Sequence, residues 1–308
     1  MKLSRRTFAL GLCALAPTPA IAAPAVLRRP YVMLEQFEGG TSAGIDNAGP
    51  WARMLEDCVK NNFRKLILDF GDYNFKSAPA PLPFALDIEG VGGSDSKLVR
   101  AYQPKSQDEP FLHWNGAAGE RGGGLRDMMV VIGDGTTEGR MIYVTGLDEE
   151  HRGQWMRFDH VAINGYPPSG DGQCWRAFEI DGVNIATQGT QGVRDIALTD
   201  CWLYRASDAI VMVRNGTQFS MRGGGCASRG ASRARIVIDG GGAPLANTTN
   251  FELDTYIAGD VILRNCDNGH VSGIIGGDLI IEATAGRGKS VALVGEKVSN
   301  SAPGWTVG

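Results

Sequence analysis

Two similar apolar runs in residues 193–230 constrain the fold of this chain most. Ile196 and Leu198 alternate with polar residues before a corner at Cys201, and the run that contains Phe219 and Met221 ends in a glycine-rich corner before Cys226. The two cysteines are 25 positions apart. A repeat of this length is typical of solenoids rather than of closed domains.

The chain from residue 65 onward consists of short strand-like runs. Most are about four to seven residues long and are bordered by Gly, Asn or Asp, as expected for strands that end in tight turns. The 43 glycines follow no Gly-X-Y period. An immunoglobulin-like sandwich would need fewer strands, and a propeller would show blade-length repeats. We therefore predict an all-β fold, a single-stranded right-handed parallel β-helix with three strands in each coil. Asn164 and Asn265 end similar runs, as an internal amide ladder requires.

One convincing helix precedes the strands. Trp51, Met54, Leu55 and Cys58 recur at helical spacing, and Pro50 suits a first helical turn. Because the open end of a β-helix exposes unpaired backbone and apolar interior, we expect a capping helix at about residues 50–62. We predict a leader loop over residues 24–45, a β-helix over residues 46–285 and a C-terminal cover or tail over residues 286–308.

The first 23 residues have the pattern of a twin-arginine signal peptide. Arg5 and Arg6 precede an apolar run over residues 9–15 and an alanine-rich stretch over residues 20–23. The apolar run is too short, and too closely followed by prolines, to span a bilayer. We expect export, a periplasmic or secreted location, and no membrane partner after cleavage.

Charge and cysteine usage restrict the partners. The net charge is −4 with mixed signs, which argues against a nucleic-acid partner. Cys13 lies in the leader, so five cysteines remain, and there is no C-x-x-C. We interpret these five as buried thiols; a disulfide or a zinc site is less favoured. No cofactor or metal is expected, since calcium would need six or more oxygen ligands and no Asp-x-Asp-x-Asp run supplies them.

Two passages resemble the pectin-lyase-like superfamily of right-handed parallel β-helices. The first has an acidic loop before a helix, then a strand, then a Gly-x-Tyr turn. The second resembles the active-site coils of polygalacturonases, although residues 227–230 lack the family's histidine. The matching residues are Asp46-Asn47-Ala48, Trp51, Leu66-Ile67-Leu68, Gly71-Asp72-Tyr73-Asn74-Phe75 and Ser207-Asp208-Ala209-Ile210. The resemblance implies a uronate-containing polysaccharide as partner.

Candidate acids follow from this resemblance. Glycosidases use two carboxylates that flank the scissile bond, and Asp208 matches the family's pattern by position. The second acid of the family's pattern is absent here, so we consider Glu179 or Asp181 as the second carboxylate. The alternative for Asp208 is a turn residue that bonds its own backbone.

A polysaccharide lyase would instead neutralise the uronate carboxylate and remove a neighbouring proton. Arg205 and Arg222 are candidate carboxylate binders, and His160 is a candidate proton carrier because imidazole titrates near neutrality. Asp159 and His160 are adjacent, so on a strand they should point to opposite faces and form no dyad.

Trp202 and Tyr204 are the candidate aromatic binding residues. Alternation places both on one side of their strand and Leu203 on the other. An exposed pair beside Arg205 would suit a saccharide, whereas an inward pair would fill the core, and both alternatives stay open.

Together these features predict an exported β-helix that binds an acidic polysaccharide and depolymerises it as a lyase or glycoside hydrolase. The alternative is a non-catalytic surface adhesin or polysaccharide-binding scaffold, so enzyme activity is left open.

Overall fold

The computed structural model describes residues 31–82, 85–115, 122–134, 136–146, 154–165, 173–182, 193–227, 234–240 and 248–308. The predicted signal peptide, and residues 228–230 where the polygalacturonase histidine would stand, lie outside these ranges.

The described residues form one α-helix, one 3₁₀-helix and 26 short strands. The helices are η1 (Leu34–Phe37) and α1 (Ala48–Asn61). The strands are β1 (Val32–Met33), β2 (Lys65–Ile67), β3 (Gly71–Phe75), β4 (Asp87–Glu89), β5 (Ser96–Arg100), β6 (Pro110–Trp114), β7 (Gly124–Ile132), β8 (Arg140–Val144), β9 (Arg157–Asn164), β10 (Cys174–Asp181), β11 (Val193–Arg194), β12 (Ala197–Thr199), β13 (Trp202–Tyr204), β14 (Ala206–Arg214), β15 (Gly216–Thr217), β16 (Ser220–Ala227), β17 (Ala234–Asp239), β18 (Thr248–Thr249), β19 (Glu252–Arg264), β20 (Cys266–Asp267), β21 (Gly269–Ile275), β22 (Leu279–Ile281), β23 (Arg287–Ser290), β24 (Leu293–Val294), β25 (Val298–Asn300) and β26 (Gly304–Val307).

Most strands stack into three parallel walls, so the fold is the predicted right-handed parallel β-helix. The two-residue strands β11, β15, β18 and β20 form a further short parallel ladder. Wall 1 contains β2, β4 and β12 with the first halves of β7, β9, β16, β19 and β21. Wall 2 contains β3, β5 and β13 with the second halves of β7, β9 and β16 and the middle of β19. Wall 3 contains β6, β8, β10, β14, β17, the end of β19 and β22. Along the described residues, successive coils add strands to wall 1, wall 2 and wall 3 in turn.

Alternation along each strand decides which side chains fill the interior. In wall 1 the middle residue of each triplet points inward and is buried, and in-register pairing stacks these residues into one column. The column is Leu66, Ile88, Leu125, Phe158, Leu198, Met221, Leu253 and Val271. Each such side chain contributes about 1.5–3 kcal/mol through burial.

The corner between walls 1 and 2 is a column of left-handed residues. Asp127, His160 and Asp200 have φ of 51°, 51° and 50°, and Gly223 and Gly224 occupy the same corner one coil further. A left-handed residue turns the backbone sharply, so each strand bends there while its hydrogen bonds to neighbouring coils continue. Strand β19 passes the same corner at Thr255 without a left-handed residue and is one strand of 13 residues, where the sequence suggested two.

The predicted Asn164–Asn265 ladder is wrong. Asn164 lies on wall 2, in register with Tyr204, whereas Asn265 follows the end of wall 3. Similar sequence runs therefore end at different corners of the coil, because β9 turns from wall 1 to wall 2 and the last part of β19 belongs to wall 3.

Helix α1 covers the N-terminal end of the β-helix, close to the predicted bounds. Its buried face includes Trp51, Met54 and Cys58. The Asn47 side chain bonds Gly40 and the carbonyl of Asn74 in β3, which ties the preceding loop to the first coil. In the described part of the chain, no helix is both long and apolar enough to cross a membrane.

Both ends of the described region are more regular than expected. Within the predicted leader loop, β1 pairs with β2 and is followed by η1. At the other end, β23 pairs with β21, and β25 pairs with β22. Residues 286–308 therefore extend the stacked coils instead of forming a loose cover or tail, because apolar residues such as Ala292, Ala302 and Trp305 remain available to the interior.

The five cysteines of the described region are free and buried, as predicted. Burial raises the pKa of Cys58, Cys174, Cys201 and Cys266 to about 12 and raises that of Cys226 as well. These thiols therefore remain protonated and poorly reactive at neutral pH.

Candidate functional site

The three predicted catalytic carboxylates lie together on wall 3. Glu179 and Asp181 are on β10, and Asp208 is on the neighbouring strand β14. Asp208 is inside a strand rather than a turn, and it accepts a hydrogen bond from Arg176 Nε at 2.7 Å. The interpretation as a self-bonding turn residue is thus wrong.

Glu179 is the centre of a buried ion-pair chain. Its carboxylate has no solvent exposure and accepts bonds of 2.5 Å from Arg140 Nε and from Arg176 Nη1. Trp175 covers both guanidinium groups, with its ring centroid 5.1 Å and 3.8 Å from their central carbons. Burial raises the pKa of Glu179, and the two arginines oppose that rise. With both oxygens engaged, this carboxylate bridges strands β8 and β10 and presents no free atom to a ligand.

Asp181 is held in a second, adjacent ion pair. Its Oδ2 lies 3.2 Å from Arg214 Nη1 and 3.3 Å from the Tyr143 hydroxyl, and the side chain is almost fully buried. The catalytic assignments of Glu179, Asp181 and Asp208 remain predictions, and the contacts around them are those of a structural network.

His113 packs against this network. Its ring lies 4.9 Å from that of Tyr143, and its Nε2 is buried without a hydrogen-bond partner. Burial, with a smaller contribution from Arg140, lowers the pKa of His113 to about 4.

His160 lies away from wall 3, at the corner between walls 1 and 2. Its Nδ1 is 3.4 Å from Asp159 and 3.7 Å from Asp127, and its Nε2 is 3.7 Å from Asp200. The expectation that Asp159 and His160 could not meet is wrong, because the left-handed backbone of His160 breaks strand alternation at this corner. All four side chains are substantially exposed.

A charged cleft adjoins this corner on the outer side of wall 1. It is a cavity of about 50 Å³ lined by Lys65, Asp87, Ile88, Glu89, Gly124, Leu125, Arg126 and Arg157. Register explains the grouping: Lys65, Asp87, Gly124 and Arg157 form one outward column. The neighbouring column contains Glu89, Arg126 and Asp159, so the cleft continues toward His160.

Two arginines in one outward column differ in how well their charge is neutralised. Arg126 Nε is 3.8 Å from Asp159 and its Nη1 is 4.0 Å from Glu89, beyond hydrogen-bond distance. Arg222, three coils further in the same column, is paired with Glu252 through a very short hydrogen bond. Arg126 is therefore better placed than Arg222, which the sequence suggested, to bind an external anion.

Trp202 and Tyr204 face outward on wall 2, while Leu203 is buried, as alternation predicted. Their rings stack at 6.2 Å with an interplanar angle of 12°. Trp202 is 42% exposed, and its ring lies against Gly225, where a Cβ would approach Cζ3 to 2.9 Å. Exposed Tyr256 follows Gly225 in the same column. We call Trp202, Tyr204 and Tyr256 the aromatic platform.

The predicted residues therefore divide into two groups. His160, Trp202 and Tyr204 surround the corner between walls 1 and 2, with Arg222 on wall 1. Asp208, Glu179 and Asp181 lie on wall 3, and Arg205 is the left-handed residue between β13 and β14. Residues that sequence reasoning missed are Asp87, Glu89, Arg126, Asp127, Asp200 and Tyr256. Only their places in the coil register identify them, since no local motif marks them.

Metal ions require a set of ligating side chains. Among the described residues, no group of three or more His, Cys, Asp or Glu side chains is arranged to hold a metal ion.

Comparison with solved structures agrees with the fold. No protein-family model and no curated protein sequence matches the chain. The tailspike gp42 of Acinetobacter phage vb_AbaP_AS12 superposes with a TM-score of 0.52 at 11% identity, over 87% of this chain and 51% of the tailspike. The phiAB6 tailspike, solved with oligosaccharides of an Acinetobacter baumannii surface polysaccharide, gives 0.47 at 12% identity, over 90% and 47%. Pantoea stewartii WceF, described as a glycan biofilm modifying enzyme, gives 0.36 at 12% identity, over 89% and 38%.

The chain thus spans about half the length, or less, of these three proteins. At such identities the likeness concerns the fold alone.

The buried ion-pair chain gives a stability prediction. Glu179→Gln removes the anion between Arg140 and Arg176 and leaves two buried cations facing each other, so we expect a loss of about 3–5 kcal/mol in the free energy of unfolding. The matched control, Glu252→Gln, breaks the exposed pair with Arg222 and should cost less than about 1 kcal/mol. Urea unfolding of both variants provides the measurement. Equal losses would contradict the role assigned to Glu179.

His113 gives a pH prediction. Its folded pKa of about 4 lies below the ordinary value of 6.5, so the unfolded chain binds the extra proton first as pH falls. The contribution of the neutral His113 to the free energy of unfolding is fully present above about pH 6.5. It is lost as pH falls toward 4, which lowers the free energy of unfolding by up to about 3 kcal/mol. In His113→Gln, the slope of unfolding free energy against pH should flatten in this window. An unchanged slope would refute the assignment.

Proposed function

We propose that the protein binds a polysaccharide on its outer surface where walls 1 and 2 meet. The observation that carries this proposal is the aromatic platform, which is exposed beside the charged cleft. Binding sites for neutral and charged saccharides alike combine apolar ring surfaces with a few convergent polar groups. Here Trp202 supplies the ring surface, and the corner residues Asp127, His160 and Asp200 supply polar groups at its edge.

The geometry of the platform suits an extended chain that lies along the β-helix axis. Trp202 and Tyr256 are two strands apart, which corresponds to about 9.6 Å at the normal strand spacing. Gly225 between them has no side chain to obstruct a ligand. A linear glycan could therefore contact both rings at once.

The partner is proposed to be an acidic, uronate-containing polysaccharide. Arg126 supports this choice. Within the described residues, its guanidinium group has only two long ion pairs, 4.0 Å to Glu89 and 3.8 Å to Asp159, so its N–H groups are available to a ligand. A guanidinium binds a carboxylate through two parallel hydrogen bonds. Lys65 and Arg157 add positive charge to the same cleft.

The competing function is a non-catalytic scaffold or adhesin. It is supported by the wall 3 contacts, since Glu179 is fully buried and Asp208 is engaged by Arg176. A protein that binds polysaccharides but leaves their length unchanged would fit this alternative.

Removal of the platform should weaken binding. Trp202→Ala removes the stacking surface, and we expect the Kd for a bound polysaccharide to rise about tenfold, equivalent to about 1.4 kcal/mol. Trp155→Ala is the matched control: Trp155 is 45% exposed but does not lie on wall 2. Isothermal titration against polygalacturonate, alginate and hyaluronan would measure both. A similar effect of the two variants would speak against the platform.

Arg126→Gln tests the acidic partner. We expect binding of polygalacturonate to weaken several-fold at low salt, and the difference to shrink as salt screens the charge. Binding of the carboxyl-reduced polymer should not change. Arg222→Gln is the control in the same column, where Glu252 already neutralises the arginine. Equal weakening with the charged and the reduced polymer would rule out carboxylate recognition by Arg126.

Export by the twin-arginine route, to the periplasm or beyond, is part of the proposal. Replacement of Arg5 and Arg6 by lysine should leave the protein in the cytoplasmic fraction of the expressing bacteria, as judged by immunoblotting. Unchanged export of this variant would exclude the route.

A further inference from the structure

We propose that Asp87 and Glu89 are the acid and base of an inverting glycoside hydrolase, with the glycosidic bond placed in the cleft over Gly124. This inference deepens the proposed polysaccharide binding and rests on it. It assigns catalysis to wall 1 rather than to the wall 3 acids that the sequence suggested.

The position of the two carboxylates on β4 is the first support. Asp87 and Glu89 flank the buried Ile88, so both side chains point outward, and both line the same cavity. Two residues along a strand separate their Cα atoms by about 6.6 Å, and side chains that project from the same face keep their carboxyl groups at a comparable spacing. Inverting glycosidases hold their carboxyl groups about 6.5–9.5 Å apart, which leaves room for a water molecule on one side of the sugar.

The two carboxylates have different electrostatic surroundings. Glu89 Oε2 lies 2.6 Å from Lys65 Nζ and 4.0 Å from Arg126 Nη1, so two cations face this carboxylate. Within the described residues, Asp87 has no ion pair within 4.0 Å. Desolvation raises the pKa of Asp87, against the opposing charges of Arg126 and Lys65. Cations face Glu89 closely, whereas desolvation raises the pKa of Asp87, and this difference suits Glu89 as the base and Asp87 as the acid.

Gly124 provides the room that a substrate needs. It stands next to Asp87 in the adjacent coil, with Arg157 on its other side. Its φ is +143°, and a Cβ there would lie 1.7 Å from the carbonyl oxygen of Arg157. A side chain is therefore excluded at this position, and the outward column has a gap between Asp87 and Arg157. The cavity of about 50 Å³ admits a sugar substituent and a water molecule while the ring lies across its mouth.

The reaction uses water as the only co-reactant. Asp87 donates its proton to the glycosidic oxygen as the bond from that oxygen to the anomeric carbon breaks. Glu89 takes a proton from a water molecule, whose oxygen forms the new bond to the same carbon from the opposite face. The products are a free hydroxyl on one fragment and a reducing end of inverted configuration on the other. Proton exchange with solvent then restores Asp87 to its acid form and Glu89 to its anion.

The test uses the full mature chain with polygalacturonate, alginate, hyaluronan and their carboxyl-reduced forms. The wild-type protein should generate new reducing ends from a polymer that it binds, without the ultraviolet absorption of unsaturated products. Asp87→Asn and Glu89→Gln should each lower kcat by about 10²-fold or more, in line with general acid–base contributions, while the Kd changes little. Asp208→Asn, at the position suggested by the family pattern, tests the alternative assignment. Glu282→Gln, which replaces a partly exposed carboxylate outside the cleft, is the control and should retain full activity.

Measurements on the wild type alone also decide the mechanism if a variant does not fold. Proton NMR of the first products should show an inverted anomer, and the dependence of kcat on pH should be bell-shaped. Retained configuration, unsaturated products, or activity lost in Asp208→Asn but kept in Asp87→Asn would overturn the inference. Binding without cleavage of any polymer would also overturn it and leave the proposed binding intact, whereas no binding would refute both.

Discussion

In-register parallel stacking is the constraint on which this structure depends. Each residue has the same neighbours one coil above and one coil below, so side chains are arranged in columns along the axis. The buried columns form the core, and the outward columns form the surfaces. Lys65, Asp87, Gly124 and Arg157 are far apart in the chain and adjacent in space only because of this stacking. A site in such a fold is therefore a local stretch of two or three columns.

The left-handed corner between walls 1 and 2 links the stacking to the chemistry. Its residues stand outside strand alternation, so polar side chains from the strand and from the corner can meet. The contact of His160 with both Asp159 and Asp200 depends on this geometry. The same corner joins the outer surface of wall 1, which carries the cleft, to that of wall 2, which carries the aromatic platform. A long ligand could contact both without any movement of the protein.

Much of the fold follows from the sequence, and less of the site does. The period of the apolar runs and the helical spacing of Trp51, Met54 and Cys58 are local signals, and they predicted the β-helix and its cap correctly. Alternation placed Trp202 and Tyr204 on one side of their strand, but only the structure shows that this side faces outward. Contacts between coils are not local: the partners of Glu179 on β8 and of Arg222 on β19 could not be found without the register. The sequence predicted a cover or tail at residues 286–308, but three glycines there, Gly286, Gly288 and Gly304, lie where neighbouring coils leave no room for a Cβ.

The buried arginine–glutamate chain has a consequence for how the coils find their order. Apolar columns are tolerant, because one leucine or valine can stack on another after a shift by a whole coil. The charged side chains of the network cannot exchange places in this way, because positive and negative charges alternate across β8, β10 and β14. These side chains are Arg140, Glu179, Arg176 and Asp208. A chain stacked one coil out of place would bury at least one of these charges without its partner, at a cost of several kcal/mol. The network thus fixes the register of the middle coils. It favours one stacking order among the many that the apolar core alone would allow.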